Sequence, residues 1–219
     1  IEANPRASRT IPIVSKLTQI PMVDLAVGAA LGHPLSDQYG LTGLVDYRGP
    51  IGVKTPVFST EKLPGIDHRL GPQMQSTGEA LGVHETLSFA LWEALRGSGW
   101  NIPKAGNLLI SVRDESKSDA AQIVALFNSL GWKTEATPGT AALLRKWGLS
   151  VETVEKGAPL LVGIRDRKWD LIINLPGYNV STLKDGYDIR RTAIEEGIPC
   201  LHSLEAASAI SIALSGQKR

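Results

Sequence analysis

Of 219 residues, 42% are apolar and 21% are charged, with a formal net charge of +1, which is ordinary for a folded protein of one large or two small domains. That charge offers no broad positive field for nucleic acid, and no apolar run is long enough to suggest a membrane span or a secretion signal. A single cysteine, Cys200, excludes an internal disulfide framework and suits a reducing cytoplasm.

The chain opens on Ile rather than Met, as expected of a fragment, a processed chain or a partial reading frame. Its first segment, Glu2-Ala3-Asn4-Pro5-Arg6-Ala7-Ser8-Arg9-Thr10, places an acid, an amide and two guanidiniums close together. In an extended strand Glu2, Asn4 and Arg6 share one side, because successive side chains alternate. Carboxylate and amide oxygens are ligands that Mg²⁺ accepts, and Arg6 and Arg9 have the forked donors that grip phosphate. A frayed terminal strand with solvated charges fits those residues equally well.

As far as Trp100 the chain is crowded with Gly and Pro turns, so short strands and loops are expected, with a few helices. One helix is expected from Pro21 to Leu31, opened by Pro21 and stopped by Gly32. A second runs from about Glu85 to Leu95, with Leu87, Leu91 and Leu95 as its apolar stripe. The breakers and polar residues of Gly97 to Gly106 read as a linker.

Beyond the linker, strand-like runs at Asn107 to Val112, Lys133 to Ala136, Val151 to Glu155, Asp170 to Asn174 and Pro199 to His202 alternate with helical stretches. Ser116 and Asp119 are spaced as a capping box for the first of these helices, whose buried face is Ala120, Ile123, Val124, Phe127 and Leu130. Such alternation predicts an α/β fold, a Rossmann-like parallel sheet with helices on both faces.

In sheets of that kind ligands gather past the carboxyl ends of the strands. There the sequence is polar: Ser111 then Lys117, Thr137-Pro138-Gly139-Thr140, Lys156, and Asn174. Thr137 and Thr140 flank a helix start, where free N–H groups and the dipole favour an anion, so Lys117, Thr137, Thr140, Lys156 and Asn174 suit the phosphate of a nucleotide monophosphate. Taken singly, the threonines also serve as turn and cap residues and the lysines as solvated surface charges.

The remaining candidates carry less chemistry. His33, His68, His84 and His202 lack metal-ligand spacing. Cys200 reads as a small buried hydrophobe. Asp185 and Asp188 are either helix caps or part of a segment that closes over the pocket, and Arg190 or Arg191 is a structural ion-pair partner.

The opening run and its continuation, Pro12-Ile13-Val14-Ser15-Lys16, resemble the end of the second ATP-grasp unit of the carbamoyl-phosphate synthase large chain. The resemblance continues through Val53-Lys54-Thr55-Pro56-Val57-Phe58-Ser59, Leu63-Pro64-Gly65-Ile66-Asp67 and Leu70 to Glu79. It resumes at Ile110-Ser111-Val112-Arg113-Asp114, Ala136 to Thr140, Leu171-Ile172-Ile173-Asn174 and Asp188 to Ala193, in what resembles that family's methylglyoxal-synthase-like allosteric domain. It implies that residues 1–100 are the C-terminal part of an ATP-grasp (carbamoyl phosphate) domain of α+β type, 101–106 a linker, and 107–219 the allosteric domain.

By that resemblance the whole enzyme makes carbamoyl phosphate from ATP, bicarbonate and glutamine-derived ammonia, for pyrimidine and arginine synthesis in the cytoplasm. Glu2 and Asn4 would hold Mg²⁺ or Mn²⁺ bridging the ATP phosphates, and Arg6 and Arg9 would stabilise the transferring phosphoryl group. The implied partners are the remainder of the large chain and a glutaminase small subunit or domain, with neither nucleic acid nor membrane. This chain alone is expected to be catalytically incomplete. A stand-alone nucleotide sensor and one chain of a split synthase are the alternatives.

Lys117, Thr137, Thr140, Lys156 and Asn174 fall on positions that contact UMP or IMP in bacterial relatives. The chain departs from that pattern at the short Gly157-Ala158-Pro159 and at Leu175-Pro176, where threonines are common. Thr55 stands where some relatives place an ornithine-binding glutamate, so ornithine activation is expected to be weak or absent. Methylglyoxal synthase keeps an acid where Asn174-Leu175-Pro176-Gly177 stands here, so no lyase activity is expected.

Overall fold

The protein is described by a computed structural model covering residues 8–40, 43–59 and 74–217. Glu2, Asn4 and Arg6 lie outside the described residues. Arg9 is exposed in the turn that enters α1 (Thr10–Thr18).

Helices are more prominent in the first hundred residues than the sequence suggests. After α1 come α2 (Met22–Ala30) and α3 (Leu35–Tyr39), then an antiparallel pair, β1 (Ile51–Val57) and β2 (Gly78–His84), and α4 (Leu87–Gly97). The β-branched residues and Pro12 of α1 argue against a helix by propensity. Pro12 is nevertheless tolerated because it falls in the first turn, where its missing N–H has no partner to lose. No single helix among the described residues is long and apolar enough to cross a membrane; α1 and α2 meet at a 114° bend.

The leucine stripe of α4 is not its innermost face. Leu87 is exposed, whereas Ala90 and Ala94 are fully buried. The reason is the close approach of β2: a Cβ on Gly82 would stand 2.0 Å from the Ala90 carbonyl oxygen and 2.5 Å from the Ala94 nitrogen. Only small residues allow a strand backbone to lie on a helix backbone in this way. Thr55 Oγ1 donates to the Ala94 carbonyl at 2.9 Å, so this threonine anchors β1 to the same helix.

From residue 107 onward the chain alternates strand and helix: β3 (Asn107–Val112), a 3₁₀ turn (Asp114–Ser116) leading into α5 (Lys117–Ser129), β4 (Lys133–Ala136), α6 (Pro138–Lys146), β5 (Glu152–Thr153), α7 (Ala158–Arg165), β6 (Leu171–Leu175), α8 (Val180–Glu195), β7 (Cys200–Leu201) and α9 (Leu204–Gly216). All five strands pair in parallel, in the order β5-β4-β3-β6-β7. Between α4 and β3, residues 98–106 form neither helix nor strand, yet Ile102 is buried in the sheet's core and Lys104 Nζ donates to the Gln217 carbonyl.

Both central strands are buried, as their near-continuous apolar runs require. Leu108, Ile110 and Val112 of β3 join Leu171, Ile173 and Leu175 of β6 on one face, packed with Val124 and Phe127 of α5, Leu144 of α6 and Ile210 and Leu214 of α9. Leu109 and Ile172 point the other way, against Leu160 and Ile164 of α7, Trp169, and Ile189 and Ala193 of α8. The period-two alternation therefore supplies both layers from the same strands. On the first of these faces α9 also packs on α4, whose Trp92 and Leu95 lie against that core, and so connects the two halves of the chain.

The expected capping box is not made. Ser116 ends the 3₁₀ turn with φ −97° and ψ 0°, and its side chain caps nothing. The caps that do form are Asn179, whose side chain accepts from the Thr182 N–H at 2.8 Å, and Ser203, which accepts from the Ala206 N–H. Asn179, not Asp185 or Asp188, therefore starts α8, and both aspartates sit within the helix.

Candidate functional site

The chain runs outward from β3 through β4 to β5, then returns across β3 to β6 and β7, so its direction reverses beside β3. At such a reversal successive crossover helices leave for opposite faces and open a crevice at the carboxyl ends of the strands. A cleft of about 510 Å³ lies there, a size suited to a small organic ligand. Lys117, Thr137, Thr140, Lys156 and Asn174 all line it, as do Ser111, Arg113, Asp114, Tyr178, Asp185 and Asp188.

Each position follows from the local fold. Thr137 is the N-cap residue of α6 in extended conformation, and its hydroxyl lies 3.3 Å from both Ser111 Oγ and Thr140 Oγ1. Thr140 Oγ1 accepts from the Val112 N–H at 3.3 Å, locking the start of α6 to the end of β3. The Gly139 amide, in the first turn, has no carbonyl four residues back within the helix. Lys117 Nζ lies 3.4 Å from where a Cβ on Gly139 would stand, so its ammonium is beside that turn. Two sources of positive potential thus meet at one place.

In its present partnership Lys117 is held by Asp114, with Nζ–Oδ1 at 2.6 Å; the lysine side chain is 13% exposed and the aspartate 89%. The 3₁₀ turn makes this pair, because residues three apart eclipse one another in that geometry. The hydrogen bond from Lys117, together with its charge, holds the Asp114 carboxyl below its ordinary range. Burial opposes this slightly, and the charge of Lys156 adds to it. Lys156 is itself exposed, ahead of Gly157, whose φ of +80° and ψ of −135° suit glycine alone at the entry to α7.

Asn174, one residue before the end of β6, is 2% exposed. Its Oδ1 accepts from Arg190 Nη1 at 3.4 Å, which leaves the amide NH₂ as its donor. Gly186 makes this packing possible, since a Cβ there would meet Pro176 Cβ at 2.7 Å and Arg190 Nη1 at 3.0 Å. Arg190 is therefore buried behind the strand end, whereas Arg191 pairs on the surface with Glu195 at 2.8 Å.

Several lining residues lay outside the sequence-based reading. Arg113 and Asp114 follow β3 directly, and Tyr178 follows β6 by three residues, so inspecting each strand end over a longer stretch would have found them. Asp185 and Asp188, read from the sequence as either helix caps or part of a segment over the pocket, line the cleft because α8 runs along it, and neither caps the helix. They put carboxylates in the cleft although the end of β6 itself carries none.

The other candidates are structural. Burial pushes the Cys200 thiol up to about 12, against the opposing charge of Arg190, so it is an inert thiol at neutral pH. His84 stacks on Phe89. No cluster of His, Cys, Asp or Glu able to hold a metal occurs among the described residues.

The family model of the MGS-like domain matches residues 119–202, which hold four strands of the parallel sheet, β4 to β7. The match takes in Thr137, Thr140, Lys156 and Asn174, while Lys117 lies just ahead of it. The crystal structure of methylglyoxal synthase from Elizabethkingia anophelis is similar with a TM-score of 0.39 and 18% identity, over 50% of this chain and 79% of that one. Along nearly its whole length the chain is related to a segment of the carbamoyl phosphate synthase large chain. It is 44% identical to that protein from Thermomicrobium roseum over 221 residues, 99% of this chain, and 40% identical to that from Lachnoclostridium phytofermentans over 218 residues, 98% of this chain. The chain spans 20% of the length of each of these relatives.

Proposed function

We propose that the cleft binds a phosphorylated effector, a nucleoside monophosphate such as UMP or IMP, and that this domain regulates a carbamoyl-phosphate synthase of which the chain forms the C-terminal part. The observation that carries the reading is the convergence of Lys117, Lys156, the Thr137–Thr140 turn and the Asn174 amide on one crevice. In a parallel α/β sheet the helices begin at that same edge, so the starts of α5, α6, α7 and α8 turn their positive ends toward it. Donors without a covalent nucleophile suit reversible recognition of an anion.

Titration of the 219-residue chain with UMP and IMP, followed by calorimetry, tests this. Lys117→Met and Lys156→Met each keep the aliphatic stem and remove the charge. Each is expected to weaken binding about tenfold or more, the size of a lost charge-assisted hydrogen bond. Wild-type affinity in both variants would sink the reading.

The same proposal gives the first segment a part in phosphoryl transfer. The carboxylate of Glu2 and the amide oxygen of Asn4 form a donor set that suits Mg²⁺ or Mn²⁺, and Arg6 and Arg9 suit phosphate oxygens. Bound with ATP, the metal would neutralise phosphate charge during transfer. The adenine pocket and the remaining ligands would come from the rest of a large chain, ammonia from a glutaminase partner, and the whole assembly would work in the cytoplasm.

A further inference from the structure

The lining of the cleft is not uniformly cationic; it divides by the element that supplies it. From the β3 to β5 side come the cations Arg113, Lys117 and Lys156, with the threonine turn of α6 and, between the first two cations, the carboxylates of Asp114 and Glu115. From β6 and α8 come Pro176, Tyr178, Asp185, Asp188 and Ile189. A bare phosphate would engage the first set and leave the second without a function.

Tyr178 is the informative member of that second set. It lies in the loop between β6 and α8, 71% exposed, yet its ring is not loose: the Arg113 guanidinium sits 5.1 Å from the ring centroid. Arg113 is itself fixed at its backbone, where its N–H donates to the Leu175 carbonyl at 2.9 Å. An exposed aromatic ring held by a cation beside a phosphate-type site is a ready stacking platform, because a π-face accepts any planar heterocycle and the guanidinium plane extends it. The α8 carboxylates are acceptors of the kind that sugar hydroxyls donate to.

We propose that Tyr178, supported by Arg113, stacks on the base of the bound ligand, so that the cleft selects nucleoside monophosphates over simple sugar phosphates. This rests on the reading of the cleft as a phosphate site. It adds the side chain that holds the base of the nucleotide.

The two claims separate in one experiment. The 219-residue chain, its Tyr178→Ala variant and its Tyr178→Phe variant are titrated with UMP, IMP and ribose 5-phosphate. Tyr178→Ala is expected to weaken the nucleotides about tenfold while leaving ribose 5-phosphate unchanged, and Tyr178→Phe, which keeps the ring, to bind like the wild type. The high exposure of Tyr178 makes misfolding of either variant an unsuitable explanation for such a selective loss. If the wild type binds the nucleotides no more tightly than ribose 5-phosphate, or if Tyr178→Ala affects neither or both classes equally, stacking is overturned and the phosphate site stands. If none of the ligands binds, both claims fall.

Discussion

Under the proposed reading of the cleft, an incoming phosphate has to displace Asp114, whose carboxylate already holds the Lys117 ammonium. Replacing it by Asn removes that competition, and Asp114→Asn is expected to raise affinity for inorganic phosphate about two- to fivefold, the modest factor typical of an exposed ion pair. Calorimetry at neutral pH reads this directly; an unchanged or weaker affinity would show that Asp114 does not compete for Lys117. The sign of the pH effect follows from the depressed carboxyl. The stabilisation from the pair is present above the unfolded carboxyl's ordinary pKa and is lost as pH falls through the lower folded value. The variant should therefore lose less stability on the acid side than the wild type. The meeting of five polar residues at or past the strand ends was legible because a fold rule says where to look. The Asp114–Lys117 pair was not, since it depends on a 3₁₀ turn standing where a capping box was the natural reading.

Close backbone packing sets the limits for single elements. Gly82 of β2 lies against the α4 backbone, and there is no side chain there that could move aside. Gly82→Ala is expected to cost about 1–3 kcal/mol or more, the range for overpacking a filled interior. Thermal or urea unfolding checks this, and an unaltered midpoint would show that β2 and α4 separate freely. Gly216 of α9 follows the same logic against Ser88 of α4, where a Cβ would stand 2.5 Å from Oγ. The sequence pattern located α4 well but put its inner face on the leucines, because periodicity reports apolar side chains and says nothing of a neighbour that requires alanine.

The apolar surface of the first hundred residues bears on the molecule beyond its own fold. Val23 and Val27 of α2 and Leu31, its C-cap residue, recur at spacing four and are all exposed, and α2 buries none of its residues. Leu44 and Met74 are exposed as well. An exposed apolar stripe of the kind α2 carries marks a contact face. The 219-residue chain is expected to self-associate at raised concentration, and Val23→Lys with Val27→Glu to reduce this without lowering the melting temperature. Sedimentation velocity decides it: association that persists undiminished in the double variant would place the contact elsewhere.

The alternation of strand and helix after residue 106, the burial of both central strands and the polar strand ends are properties of local order along the chain, so patterning and turn chemistry alone determine them. Long-range geometry made the remaining decisions. The reversal of strand order beside β3 opens the cleft, and the path of α8 carries Asp185 and Asp188 into it. The β6–α8 loop sets Tyr178 against Arg113, residues 65 positions apart by their numbers yet joined by one cation–π contact. No periodicity encodes such meetings, because they depend on how whole elements pack and not on what any element is.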